Sequence, residues 1–147
     1  MIKLQHIAIS VKDPEASAKF FVDVMEMKLT RKNDGPLAQT CFVSDGSIEI
    51  ALIRFKSPEM LGKEFPDSYE GLHHIGFNVD NLEEIDKRIA ATGFRPRSDI
   101  HTARDKLFAA AGGKPQSKVG VEYKYEGPGG IIFDVSQKGW IRKEDAQ

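Results

Sequence analysis

The sequence has little cysteine, no long apolar run and almost no net charge. Cys41 is the only cysteine among 147 residues, so no intramolecular disulfide can form. No segment approaches the roughly 18 consecutive apolar residues of a membrane span, and residues 1–6 do not resemble a signal peptide. The 21 basic and 22 acidic residues give a net charge of −1, which provides no strong field toward nucleic acid or anionic lipid. We therefore expect a cytoplasmic protein with neither a nucleic-acid nor a membrane partner.

What the chain does contain is typical of one globular domain. Hydrophobic residues make up 40% of it and charged residues 29%, which is enough apolar material for a core. A length of 147 residues fits a single domain spanning residues 1–147. Cys41 lies between apolar and β-branched neighbours, so we expect a buried core thiol.

A short motif occurs twice. LQHIAISV at residues 4–11 matches LHHIGFNV at residues 72–79, with Leu, His, Ile and Val in register and a small residue after the Ile. Both stretches alternate and are rich in apolar and β-branched residues, which predicts two equivalent strands. The chain is therefore expected to contain two copies of one module.

Each of these strands is followed by a predicted helix. The first begins at Asp13 and Pro14, a favoured N-cap and first helical residue. The second begins at Asn81, with Glu84 three residues later as in a capping box, and should stop at Gly93. Further strands are predicted at residues 27–31, 40–44 and 47–53 in the first copy, and at 94–97, 119–125 and 131–135 in the second.

The predicted fold class is α+β. Two βαβββ modules, about residues 3–55 and 71–137, are related by a pseudo-twofold axis and form curved mixed sheets around a cleft. Residues 56–70 and 98–117 are extra material, predicted as loops or short helices.

Four residues of the two copies are candidates for a metal site. His6 and His74 occupy the same place on the first strand of each copy, and Glu49 and Asp134 lie among apolar residues on the last strands. A buried, unpaired carboxylate is costly, and a metal would remove that cost. Two imidazoles and two carboxylates suit Zn²⁺, Mn²⁺, Fe²⁺, Co²⁺ or Ni²⁺.

Each residue alone has an ordinary alternative explanation. A strand histidine is usually a hydrogen-bonded or surface residue, and a strand glutamate usually points to solvent. The hypothesis rests on the repeat, because two histidines and two acids at matching positions favour one site. Alternation predicts that His73 points away from His74 and is structural or surface, and His101 is expected in a solvated loop.

The repeated motif and the four candidate ligands resemble those of the vicinal oxygen chelate superfamily. This superfamily includes glyoxalase I, methylmalonyl-CoA epimerase, fosfomycin- and bleomycin-resistance proteins and extradiol dioxygenases. The resemblance rests on residues 4–9, 71–80 and 129–134 and covers nearly the whole chain. It implies His6, Glu49, His74 and Asp134 as metal ligands, with Glu49 and Asp134 as catalytic residues. The last ligand in the metal-binding families is usually Glu, so Asp134 departs from the pattern by one methylene.

The resemblance implies a metal-dependent glyoxalase- or epimerase-like enzyme, a lyase or isomerase, acting on a small oxygenated substrate through an enediolate-type intermediate. The alternatives are an Fe(II) dioxygenase-like enzyme and a non-catalytic protein that sequesters a small molecule. We also expect a homodimer. Trp140 is expected to pack at a subunit contact or over the pocket, and the basic insert around Arg104, Lys114 and Lys118 is expected to be solvated.

Overall fold

The protein is described by a computed structural model that covers residues 1–113 and 122–137. Within these residues the strands and helices are, in chain order, β1 Ile2–Ser10, α1 Pro14–Met25, β2 Lys28–Asp34, β3 Ala38–Ser44, β4 Glu49–Phe55, β5 Gly71–Val79, α2 Leu82–Ala91, α3 Ser98–Ala110, β6 Tyr123–Glu126 and β7 Ile132–Ser136. Two single 3₁₀ turns, Pro58–Met60 and Pro128–Gly130, lie before β5 and β7.

The seven strands form one mixed sheet in the order β2-β3-β4-β1-β5-β7-β6. In the first module β1 pairs in parallel with β4, and in the second β5 pairs in parallel with β7. The two modules join through the antiparallel pair β1–β5, in which Ile7 lies opposite Ile75. The predicted α+β fold with two related modules is confirmed, and the modules pair within one chain.

The helices begin where the sequence predicts. Asp13 Oδ1 accepts a hydrogen bond from Ala16 N, 3.1 Å away, and caps α1, whose first residue is Pro14. Asn81 Oδ1 accepts one from Glu84 N, 3.1 Å away, and caps α2. Gly93, which follows α2, has φ +84°, a left-handed conformation that favours glycine and ends the helix.

The second module departs from the predicted pattern in two places. The strand predicted at residues 94–97 is reduced to a single bridge between Pro96 and Tyr125. The insert predicted as loops or short helices forms α3, a helix of 13 residues. The basic residues Lys114 and Lys118, the start of the strand predicted at 119–125, and Trp140 lie outside the described residues.

Helices pack on both faces of the sheet. On one face α1 packs on β3 and β4 through Ala18, Cys41 and Leu52, and α2 packs on β5 and β7 through Leu82 and Val135. Cys41 is buried, as predicted. On the other face α3 contributes Ile100 and Ala103 to a cluster with Met60 and Ile132. Ile132 pairs with His74, so the site described below lies on the same face as this cluster.

Several apolar side chains of α1 are exposed. Phe20, Val24 and Met25 are more than half exposed, whereas Phe21 packs on the core. The homodimer stays a prediction. No helix within residues 1–113 and 122–137 is both long enough and apolar enough to cross a membrane.

Candidate metal centre

The sheet register places the candidate residues in one row across the strands. His6 on β1 lies opposite Gly76 on β5, Gly76 lies opposite Asp134 on β7, and Asp134 lies opposite Lys124 on β6. Residues in one row project side chains from the same face of a sheet. Gly76 has no side chain, so those of His6 and Asp134 can meet above it.

The close approach above Gly76 explains the small residue of the repeated motif. A Cβ added at Gly76 would lie 2.0 Å from Cε1 of His6, a distance that no side chain can accept. The other module repeats this arrangement, because His74 lies opposite Ala8. Each histidine therefore occupies the space over a small residue of the other module.

A β-bulge precedes each of the two histidines. Leu72 pairs with Ile9 and His74 with Ala8, so His73 is the extra residue of a bulge, and Gln5 is the corresponding extra residue before His6. A bulge interrupts the alternation of side chains between the two faces. His73 and His74 consequently lie side by side, with their Nδ1 atoms 2.7 Å apart. The prediction that His73 points away from His74 is wrong for this reason.

The contact between the two histidines assigns their tautomers. Nε2 of His73 lies 2.7 Å from the carbonyl oxygen of Leu61, which can only accept, so this nitrogen donates. In the neutral ring Nδ1 of His73 is then an acceptor, and Nδ1 of His74 donates to it. Burial lowers the pKa of His73 to about 4, and burial together with the charge of Lys124 lowers that of His74 to about 3, so both rings are neutral. Nε2 of His74 is left with its lone pair, 3.1 Å from Oδ2 of Asp134.

Four side chains converge at this point. Ligand atoms of His6, His74, Glu122 and Asp134 all lie within 4.8 Å of one another. Oδ2 of Asp134 is 3.1 Å from Nε2 of His74 and 3.6 Å from Nε2 of His6. His6, His74 and Asp134 are each no more than 2% exposed. Three of the four predicted ligands thus come together, and Glu122 is the fourth member of the group.

The charges in the group depend on one another. Burial alone would raise the pKa of Asp134, but the ammonium of Lys124 and the hydrogen bond from His6 hold it well below its usual range. Burial opposes a charge on His6, yet the hydrogen bond and negative charge of Asp134 raise its pKa. Burial and the charge of Asp134 raise the pKa of Glu122 to about 7. Asp134 is therefore the permanent anion of the group.

Sequence reasoning missed Glu122 and Lys124. Lys124 Nζ lies 2.8 Å from Oδ2 of Asp134 and 3.8 Å from Oε2 of Glu122. Counting equal numbers of residues outward from the Gly127–Gly130 turn would place Lys124 opposite Phe133, whereas the structure pairs it with Asp134, one residue further on. Alternation places Glu122 on the same face as Lys124. Two charged residues on one face of a predicted strand were the available signal, but the register that brings them to Asp134 was not in the sequence.

Glu49 lies at the other end of the row. It is opposite His6, on the side away from Asp134, is 5% exposed, and its Oε2 accepts a hydrogen bond from Thr30 Oγ1 at 2.9 Å. Its carboxylate is not part of the four-residue group. Three strand spacings, about 14 Å in a flat sheet, separate the backbones of Glu49 and Asp134. Its role as a ligand stays a prediction.

The assumption that the two acids occupy equivalent positions is wrong. Asp134 pairs with Gly76, two residues beyond His74, whereas Glu49 pairs with His6 itself. The residue equivalent to Asp134 in the first module is Ala51, which pairs with Ala8. The sequence motif aligned the first strands of the two modules correctly, but it carried no information on the register of the last strands.

His101 is not a solvated loop residue, as was expected. It lies on α3, is 8% exposed, and its Nε2 accepts a hydrogen bond from the backbone N–H of Lys124 at 2.9 Å. Its ring packs on that of Tyr123, with the centroids 4.2 Å apart. Because it holds the backbone of β6, it helps to place Lys124 and Glu122.

The donor set fits a divalent metal. Oδ1 of Asp134 and Oε1 of Glu122 are shut off from solvent and meet no hydrogen-bond donor among the residues that the structure describes. Buried carboxylate oxygens normally have a partner, so these two have spare capacity for a cation. Two imidazoles and two carboxylates are a common ligand set for Zn²⁺ and its first-row neighbours.

Comparison with known proteins assigns the family. The sequence pattern of the Glyoxalase/Bleomycin resistance protein/Dioxygenase superfamily matches residues 3–135. The chain belongs to this superfamily. A comparison with curated proteins gives no significant match.

Solved structures share the fold of this superfamily member. A hypothetical protein of Bacillus halodurans is 21% identical, with a TM-score of 0.66, 97% of this chain covered and 98% of that one. Methylmalonyl-CoA epimerase of Streptomyces coelicolor, in complex with 2-nitronate-propionyl-CoA, is 16% identical, with a TM-score of 0.63 and coverages of 90% and 94%. The epimerase of Mycobacterium tuberculosis is 15% identical, with a TM-score of 0.64 and coverages of 98% and 91%.

Proposed function

We propose that this protein is a metal-dependent enzyme of the epimerase or glyoxalase type, which moves a proton next to a carbonyl of a small oxygenated substrate through an enediolate-type intermediate. The observation that carries the proposal is the convergence of the buried His6, His74 and Asp134 with the partly buried Glu122 within 4.8 Å. A binding protein has no evident need for such a costly cluster. The structural likeness to methylmalonyl-CoA epimerases, one of them in complex with methylmalonyl-CoA and NH4+, supports an acyl-CoA thioester as one candidate substrate.

His6, His74, Asp134 and Glu122 would hold the ion. A divalent metal bound there supplies Lewis-acid stabilisation of negative charge on a substrate oxygen. His73 keeps the lone pair of His74 directed at the site through the 2.7 Å contact of the two Nδ1 atoms. Asp134 would act in catalysis as a metal ligand. Its carboxylate stays ionised, so it holds the cation and does not carry a proton.

Glu49 is the proposed proton carrier. It flanks His6 on the side away from Asp134 and lies outside the four-residue group, so its carboxylate remains available when the ligands are engaged. Its hydrogen bond from Thr30 orients the side chain. A positioned carboxylate contributes typically 10²–10⁴-fold to proton transfer.

Deuterium exchange tests this proposal. The purified chain, loaded separately with Zn²⁺, Mn²⁺, Co²⁺ and Ni²⁺, is incubated in D₂O with 2-hydroxy ketones, hemithioacetals and acyl-CoA thioesters. We expect deuterium at the α-carbon of at least one substrate, with exchange that requires metal and consumes no oxygen. Glu49→Gln should lower the exchange rate by about 10²-fold or more while metal binding persists, and Asp134→Asn should lose the metal as well.

The matched control is Glu83→Gln on α2, which removes an exposed carboxylate far from the cleft. It should exchange at the wild-type rate. Oxygen uptake with Fe²⁺ would favour the dioxygenase alternative. Tight binding of a small molecule with neither exchange nor oxygen uptake would contradict an enzyme and favour sequestration.

A further inference from the structure

Lys124 places a positive charge inside the candidate metal centre. Its side chain is 9% exposed, and Nζ lies 2.8 Å from Oδ2 of Asp134, 3.5 Å from Nε2 of His74 and 3.8 Å from Oε2 of Glu122. Its three neighbours are all members of the four-residue group. The ammonium therefore lies among atoms that would bind a metal.

Without a metal this ammonium balances the charge of the cluster. Asp134 is 0% exposed, and an isolated buried carboxylate costs several kcal/mol unless it is paired. Lys124 makes the shortest polar contact of Asp134 in the structure. The lysine thus stabilises the fold of the metal-free chain.

The same contact opposes metal binding. Oδ2 of Asp134 is the atom on which the two imidazoles converge, and Nζ of Lys124 makes a 2.8 Å hydrogen bond to that same oxygen. A metal held by this oxygen and Nε2 of His74 would compete with the ammonium for both atoms. Two cations at such short range in a buried site repel each other strongly. A metal on Oδ2 therefore displaces Lys124 from Asp134, and a metal on Oδ1 still lies against the charge of the ammonium.

The fold itself does not require a lysine at this position. The pairing of Lys124 with Asp134 on β6 and β7 corresponds, in the first module, to the pairing of Phe42 with Ala51 on β3 and β4. Phe42 is 6% exposed, so the equivalent strand position accepts a large apolar side chain. The lysine is a feature of the site and not of the sheet.

We propose that Lys124 is a built-in cation that balances the charge of the centre in the absence of metal and lowers its affinity for divalent ions. The inference rests on the proposed metal site. It predicts that the centre binds a metal only when the free energy of metal–ligand binding exceeds the cost of displacing the ammonium. Lys124 would therefore determine which ions bind and at what concentration.

The test compares the affinity of variants for Zn²⁺ and Co²⁺, measured by competition with a chromophoric chelator. Lys124→Met keeps the length and removes the charge, and it should bind both ions about tenfold or more tightly, a change of about 1.4 kcal/mol or more. Lys124→Arg keeps a cation and should bind no more tightly than the wild type. Lys87→Met is the matched control, because it removes an exposed lysine paired with Glu83 outside the site, and its affinity should be unchanged.

A second readout comes from thermal unfolding. Without metal, Lys124→Met should unfold at a lower temperature than the wild type, because Asp134 loses its partner. Saturating Zn²⁺ should raise its Tm by more than it raises that of the wild type, as tighter binding to the folded state requires. If Lys124→Met unfolds before it can be measured, Lys124→Gln provides the same comparison with a polar, neutral side chain.

The outcomes separate this inference from the proposed function. Equal or weaker metal binding by folded Lys124→Met and Lys124→Gln would overturn the inference and leave the metal site standing. If neither the wild type nor these variants binds a divalent ion, the metal site and the inference both fail. Metal binding by the neutral variants alone would support the inference in its strongest form.

Discussion

Nδ1 of His73 accepts a hydrogen bond from Nδ1 of His74 across 2.7 Å, and this contact leaves Nε2 of His74 as the nitrogen that faces Asp134. The contact exists because the β-bulge turns two consecutive residues toward the same region. The His73 ring is held in place by its second nitrogen, because Nε2 of His73 donates a hydrogen bond to the carbonyl oxygen of Leu61. A chain of two hydrogen bonds thus links a loop carbonyl to a candidate metal ligand.

Substitution of His73 tests the chain of hydrogen bonds. His73→Phe keeps a flat ring but leaves Nδ1–H of His74 and the carbonyl of Leu61 without their partner. Each buried group left unpaired costs about 1–3 kcal/mol of unfolding free energy. Metal affinity should fall about 10–100-fold, because the ligand is no longer oriented. Chemical denaturation and chelator competition measure the two effects.

The control for His73→Phe is Cys41→Ala in the core under α1. It should lower the free energy of unfolding without changing metal affinity. If His73→Phe and Cys41→Ala change the affinity equally, the orienting role of His73 is wrong.

Gly76 provides a steric test of the row across the sheet. A methyl group there would lie 2.0 Å from Cε1 of His6, so Gly76→Ala should displace the imidazole. We expect metal affinity to fall by more than about tenfold and the free energy of unfolding to fall by about 1–3 kcal/mol, a typical cost of overpacking. Gly35→Ala is the control, since a Cβ there is 3.8 Å from its nearest neighbour and the site is distant. Wild-type affinity in Gly76→Ala would contradict the placement of His6.

His101 gives a prediction about pH. Burial, followed by the charges of Arg104 and Lys124, lowers its pKa to about 4, below the unfolded value of about 6.5. Between these values the unfolded chain binds more protons, so stability is fully present above about pH 6.5 and declines as the pH falls toward 4. His101→Gln removes this contribution, and its unfolding free energy should fall less steeply than that of the wild type over the same range. Parallel curves in urea denaturation from pH 7 to 4.5 would show that His101 does not titrate in this way.

The sequence could predict the parts of the fold that repeat. The Leu-x-His-Ile motif located β1 and β5, and Asp13, Asn81 and Gly93 located helix ends, because these signals depend on near neighbours in the chain. Strand register depends on contacts between distant segments, which no local pattern encodes. Of the four predicted ligands, His6, His74 and Asp134 lie in the group and Glu49 lies outside it, while Glu122 and Lys124 were missed.

The bulge at His73 shows a second limit of sequence reasoning. Strict alternation predicts opposite faces for His73 and His74, and one extra residue in the β1–β5 pair brings them together. The equivalent bulge before His6 shows that the irregularity belongs to the repeated module. Two adjacent histidines on a strand thus lie side by side, one as the proposed ligand and the other as its proposed orienting partner.

The most direct test of the metal centre is a crystal structure of the purified protein soaked in Zn²⁺ or Co²⁺, with anomalous diffraction at the metal edge. We predict one peak per chain within about 2.0–2.3 Å of the imidazole nitrogens of His6 and His74 and a carboxylate oxygen of Asp134. Nζ of Lys124 should have moved away from Asp134 in that crystal. A fully soaked crystal that has no peak between these residues, with Lys124 still in contact with Asp134, would contradict the proposed centre.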